Sequence, residues 1–107
     1  MSTENNLEQL YNNSVQILTD LIAFKTISGE DNSSLINYCD DILKKLGATS
    51  FRTYDNEKKR VNLFATLKAK NSNNKKPIIL SGHTDVVPVS KGWSSDVCSS
   101  DLYILNI

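Results

Sequence analysis

Only two cysteines occur in the 107 residues, and they cannot build the disulfide framework of a small secreted domain. Cys39 lies within a helical apolar pattern and Cys98 within a Ser/Asp-rich stretch, so a buried thiol and an exposed free thiol are the expected states. No apolar run approaches the ~18–20 residues that cross a bilayer. The opening Met1-Ser2-Thr3-Glu4-Asn5-Asn6 also lacks the basic-then-apolar plan of a signal peptide. Together these absences predict a soluble, cytoplasmic chain. A single histidine, His83, is present, and one histidine cannot by itself hold a zinc ion that needs three or four protein ligands.

Net charge is also missing, since 12 basic groups balance 12 acidic ones, but the balance is uneven along the chain. Residues 1–43 carry 1 basic and 7 acidic groups, 44–76 carry 10 and 2, and 77–107 carry 1 and 3. The middle third could meet an anionic ligand, yet its lysines fall in turn-like segments without the interleaved aromatics that stack on bases. A solvated hairpin is the expected state, and nucleic acid and membrane are not expected partners.

What is present is apolar periodicity. Leu7, Leu10, Tyr11, Val15, Leu18, Leu21 and Ile22 recur at spacings of three and four, which predicts an amphipathic helix from Leu7 to Phe24. Asn5 or Asn6 is its expected cap, with Glu8 completing a capping box. The helix should end in Lys25-Thr26-Ile27-Ser28-Gly29. A second helix is predicted after Asn32 or Ser33 as cap, with Leu35, Ile36, Cys39, Ile42, Leu43 and Leu46 on one face. Gly47 after Lys44-Lys45-Leu46 is its C-terminal glycine. Period-two alternation then predicts strands over Thr49–Tyr54 and Arg60–Leu67, joined by a turn at Asp55-Asn56-Glu57-Lys58. Residues 69–76 read as an exposed polar loop. Pro77-Ile78-Ile79-Leu80-Ser81 reads as a short strand covered on both faces. The predicted order is α-α-β-β-β, an α/β arrangement small enough to leave a thin core.

The chemistry concentrates in Ser81-Gly82-His83-Thr84-Asp85-Val86-Val87-Pro88, immediately after that third strand. Residues i and i+2 of an extended chain point the same way, so His83 and Asp85 can share one side. A neutral imidazole binds zinc through one ring nitrogen, and a carboxylate on the other nitrogen fixes the tautomer and raises ligand basicity. His-x-Asp alone is a weak signal, because most lone histidines are satisfied surface or core residues.

The run Ser81 to Val89, followed by Gly92-Trp93-Ser94-Ser95-Asp96, resembles the first metal-ligand motif of the co-catalytic zinc amidohydrolases. That family includes acetylornithine deacetylase, succinyl-diaminopimelate desuccinylase and carboxypeptidase G. Leu21 to Ser28 is similar to the family's helix-to-loop entry and Asn62 to Leu67 to the strand before the metal strand. Val89 and Trp93 to Asp96 look closest to the acetylornithine deacetylase branch. The resemblance implies the N-terminal part of a zinc-peptidase-like, mixed-sheet catalytic domain over residues 1–96, incomplete here and without the lid domain through which family members dimerise. It implies two Zn²⁺ ions per complete site, with Co²⁺ as a possible replacement, His83 as ligand of one ion and Asp85 as the carboxylate that orients it. The implied reaction is hydrolysis of an N-acyl amide, N-acetylornithine to ornithine and acetate in arginine biosynthesis, with a glutamate as general base. Neither that glutamate nor a further histidine follows Asp85, so the 107 residues alone are expected to be inactive and not to bind zinc stoichiometrically. Related deacylases, desuccinylases and carboxypeptidases share the motif and stand as alternatives, beside a non-catalytic binding module. From Val97 the likeness stops. Ser-Ser-Asp-Val-Cys-Ser-Ser-Asp-Leu resembles a translated sequencing adapter, so residues 97–107 are expected to be a non-native tail, the alternative being a genuine strand from Leu102 to Ile107.

Overall fold

The computed structural model describes residues 3–71 and 75–88, so the predicted tail and the residues from Val89 to Asp96 lie outside the described part. Two helices, α1 (Thr3–Ala23) and α2 (Ser33–Lys45), precede two strands, β1 (Thr49–Tyr54) and β2 (Val61–Thr66). The strands form an antiparallel hairpin with Thr49 opposite Thr66 and Tyr54 opposite Val61. The described residues therefore form a mixed α/β arrangement in which α2 covers one face of a two-stranded sheet.

Its core follows from the two periodicities. The α2 stripe delivers Leu35 and Ile36, and the inward face of β2 delivers Val61; the three are 3%, 4% and 2% exposed. Leu21, Phe24, Cys39 and Leu63 pack around them. Burial pushes the Cys39 thiol up from its ordinary pKa, as expected of a cysteine used as a small apolar side chain. The α2 C-terminus matches its expected stop signal. Gly47 has φ +92°, its N–H donates to the Lys44 carbonyl at 2.9 Å, and the Ala48 N–H donates to the Leu43 carbonyl at 3.0 Å. This pair of bonds is a Schellman motif, and it requires the left-handed conformation that glycine adopts without strain. Gly47→Ala is expected to cost about 1 kcal/mol in urea unfolding, with the denaturant slope unchanged. Leu46, expected on the buried stripe, becomes the cap residue and is exposed.

Several expectations need correction. Helix α1 begins at Thr3, so Asn5 and Glu8 lie inside it instead of forming a capping box. No α1 residue is fully buried, and the apolar positions from Leu7 to Leu18 are exposed. Among the described residues only its last turn reaches the body of the fold, through Leu21 and through Asp20, which accepts the Tyr38 hydroxyl at 2.7 Å. That bond pushes the Tyr38 phenol up to about 12. Phe24 and Tyr38 meet with ring centroids 5.5 Å apart. The predicted third strand is not formed either: residues 77–81 have no regular structure, and Ile78, Ile79 and Leu80 are 88%, 78% and 92% exposed. A strand has little stability without a hydrogen-bonded neighbour, and among the described residues nothing pairs with this run. Pairing begins later, where Val86 and Ile27 form an isolated parallel bridge.

One charged group is buried in the helix–sheet contact. Asp40 on α2 is 1% exposed, and its Oδ2 accepts from Arg52 Nε at 3.1 Å and from Arg52 Nη2, with Lys44 Nζ at 3.2 Å. Arg52 also donates through Nη1 to Asn37 at 2.6 Å. Ser50, Arg52 and Lys44 together hold the Asp40 carboxyl at about 2, below its ordinary 3.8. A carboxylate depressed in the folded state contributes stability that is complete above its unfolded pKa and is lost as pH falls toward the folded value. Wild-type stability should therefore fall between about pH 4 and pH 2, and Asp40→Asn should flatten part of that fall. Asp20, Asp31 and Asp55, also depressed by hydrogen bonds, leave the remainder in place. Urea titrations at a series of acidic pH values would measure the difference, and superimposable acid limbs would refute it.

Candidate functional site

An open groove of about 780 Å³ runs between the loop after α1, the inner side of α2, the hairpin turn and the loop at 82–85. Each wall is set by a local sequence device. The hairpin turn is tied by Asp55, whose Oδ1 accepts the N–H groups of Lys59 and Arg60 while its Oδ2 pairs with Arg60 Nε at 2.8 Å. Lys58 takes φ +57° in this turn, the left-handed region that favours glycine or asparagine. The loop after α1 turns at Gly29, φ +89°, which returns the chain toward the start of α2.

His83 and Asp85 stand together at the mouth of the groove, both exposed, as their two-residue spacing predicts. His83 Nδ1 lies 2.8 Å from Asp85 Oδ1 and 3.1 Å from the Asp85 backbone carbonyl oxygen. Two acceptors facing one ring nitrogen require that nitrogen to carry the proton. In the neutral ring Nε2 is then the nitrogen with a free lone pair, which is the arrangement a metal-binding histidine needs. The remainder of a metal site is not assembled. Among the described residues no group of three or more His, Cys, Asp or Glu side chains lies close enough to hold an ion. These residues fit one ligand and its orienting carboxylate and do not by themselves fit a zinc centre.

Two residues that sequence reasoning assigned to other tasks hold this loop. Asn32 occupies the N-cap position of α2, but its side chain makes no cap hydrogen bond. That task falls to Asp31, whose Oδ1 accepts the Ser33 N–H at 2.7 Å. The Asn32 amide instead bridges the hairpin and the loop. Its Oδ1 accepts the Val61 N–H at 2.8 Å, and its Nδ2 donates to the Val61 carbonyl at 3.0 Å and to Thr84 Oγ1 at 3.2 Å. Thr26, buried near the start of the loop after α1, donates its hydroxyl to the Thr84 carbonyl at 2.6 Å. The same segment pairs its backbone with Val86, Val86 N–H to the Thr26 carbonyl at 3.0 Å and Ser28 N–H to the Val86 carbonyl at 2.9 Å. No sequence signal marks Asn32 for this role, because an asparagine before a helix reads first as a cap.

No family model matches the chain, and no curated protein or solved structure matches it. No helix among the described residues is long and apolar enough to cross a membrane.

Proposed function

We propose that the chain is the N-terminal part of an acetylornithine deacetylase-like zinc hydrolase, in which His83 is a metal ligand and Asp85 orients it. The observation that supports this reading is the His83–Asp85 pair, with Nδ1 engaged by the carboxylate and the opposite ring nitrogen left to bind. The exposed motif loop at one end of an open groove is consistent with it, since a ligand approaching His83 would meet no covering element among the described residues. The remaining ligands, the general base and the pocket for the acyl amino acid would come from a longer reading frame, and dimerisation through a lid domain would come with them.

Protein expressed from the complete reading frame and loaded with Zn²⁺ or Co²⁺ is expected to release acetate from N-acetylornithine, with activity abolished by chelation and restored by the metal. Turnover of an N-succinyl or other N-acyl amino acid in its place would move the substrate within the same chemistry. Failure to hydrolyse any N-acyl amino acid, or hydrolysis indifferent to chelation, would overturn the reading. A non-catalytic binding module is the second reading. It requires a folded 107-residue chain with no stoichiometric zinc and no further domain encoded downstream.

A further inference from the structure

We infer that Thr26 and Asn32 are positioning residues that clamp Thr84 from inside the fold and thereby aim His83 and Asp85 into the groove. The inference rests on the metal-ligand role proposed for His83, but the clamp is a property of this chain's own residues and is testable without a metal.

Exposure alternates over residues 83–85 as it does where successive side chains point to opposite sides. Thr84 is half-buried, whereas His83 and Asp85 on either side of it are exposed. Fixing Thr84 inward therefore fixes its two neighbours outward. The structure does this twice, from different parts of the sequence. The Thr26 hydroxyl holds the Thr84 backbone carbonyl, and the Asn32 amide holds the Thr84 hydroxyl. Asn32 is itself locked, since both its oxygen and its nitrogen bond the backbone of Val61 in the core. Thr26 is anchored through its carbonyl, which accepts the Val86 N–H on the far side of Asp85. The motif loop is thus gripped at Thr84 and Val86, with Asp85 between them, and the Asp85 carboxylate is held where it meets His83 Nδ1.

This arrangement explains how an exposed histidine on an irregular segment can keep one ring nitrogen directed at a carboxylate. His83–Asp85 is a contact between two exposed side chains, the kind that alone is worth little. It gains definition from buried Thr26 and half-buried Asn32, which hold the residue between the two.

The test uses the full 107-residue chain, whose single histidine makes the signal unambiguous. Long-range proton–nitrogen NMR reads the ratio of the Nδ1–H to the Nε2–H tautomer of the neutral ring. Wild type should favour Nδ1–H. Thr26→Val keeps the side-chain shape and removes the donor, and losing one such hydrogen bond should lower the ratio up to roughly fivefold. Thr26→Ser, which retains the hydroxyl, should restore it. Thr84→Val keeps the side-chain shape and removes the oxygen that accepts from Asn32 Nδ2, so it should lower the ratio as Thr26→Val does, and it decides the matter if Thr26→Val fails to fold. Gly47→Ala, which weakens the fold at a distant helix end, should leave the ratio unchanged and so separates clamping from general stability. A wild-type ratio without Nδ1–H excess, or folded Thr26→Val and Thr84→Val variants with the wild-type ratio, would overturn the clamp. Absence of hydrolase activity from the complete protein would sink the functional reading and leave this measurement to decide the clamp on its own.

Discussion

Ile36→Ala is expected to remove about 3 kcal/mol of folding stability. Ile36 is 4% exposed and sits with Leu35 and Val61 at the point where α2 crosses the sheet. Truncation loses the transfer free energy of the deleted carbons and leaves a cavity that a two-stranded sheet under one helix can refill only by shifting the helix. A folded unit of this size has only a few kcal/mol in hand, so the variant should be substantially unfolded at room temperature. Leu10→Ala supplies the contrast. Leu10 belongs to an equally regular apolar pattern, but it is exposed on α1, and its truncation should change stability by no more than about 0.5 kcal/mol. Urea unfolding followed by far-ultraviolet circular dichroism reads both. Equal losses at the two positions would mean that α1 is packed in solution and that the core extends along it.

That contrast marks how far the sequence carries the fold. Periodicity of 3.6 and of 2 located both helices and both strands, because those patterns reflect local geometry that each segment satisfies by itself. The Gly47 stop was legible for the same reason, since a left-handed residue after a lysine-rich last turn is a local requirement. The faces of α1 and the run Ile78 to Leu80 were not legible. Their apolar residues announce a need for burial, but a pattern cannot supply the neighbour that meets it, and among the described residues α1 is covered only near Leu21. Asp40 illustrates the opposite case, a charge on the buried side of an apolar stripe. It is tolerated because Arg52, facing it from β1, donates to the same carboxylate oxygen.

At the candidate site the adjacent pair could be read from spacing alone, whereas its supports could not. His83 and Asp85 are two residues apart, so their spacing alone puts them within reach of each other. Thr26 and Asn32 lie 58 and 52 positions from Thr84, and only the tertiary structure brings them to it. Asn32 was further disguised by its place before a helix. Its cap function has been taken over by the neighbouring Asp31, which leaves the amide free to bond in three directions.

On the proposed function, His83→Ala is expected to abolish metal-dependent hydrolysis by protein expressed from a longer reading frame, whereas Asp85→Asn should reduce metal affinity or activity by roughly 10–100-fold. The two effects differ because the two residues stand in series. His83 offers the ring nitrogen that would bind, so its removal deletes a ligand outright. Asp85 acts on that nitrogen from the far side of the ring, 2.8 Å from Nδ1, and its charge makes the imidazole a stronger donor. Asparagine keeps the shape and can still accept the Nδ1–H bond through its amide oxygen, provided the amide is turned that way, but it carries no charge. The orienting part of the role should therefore persist and the electrostatic part should vanish. Metal titration separates the possibilities: a weakened but measurable site in Asp85→Asn with none in His83→Ala is the expected pair of results. Full activity in His83→Ala would remove the histidine from the chemistry. Equal and complete loss in both variants would instead place the Asp85 carboxylate on the metal itself, beside the histidine it now orients.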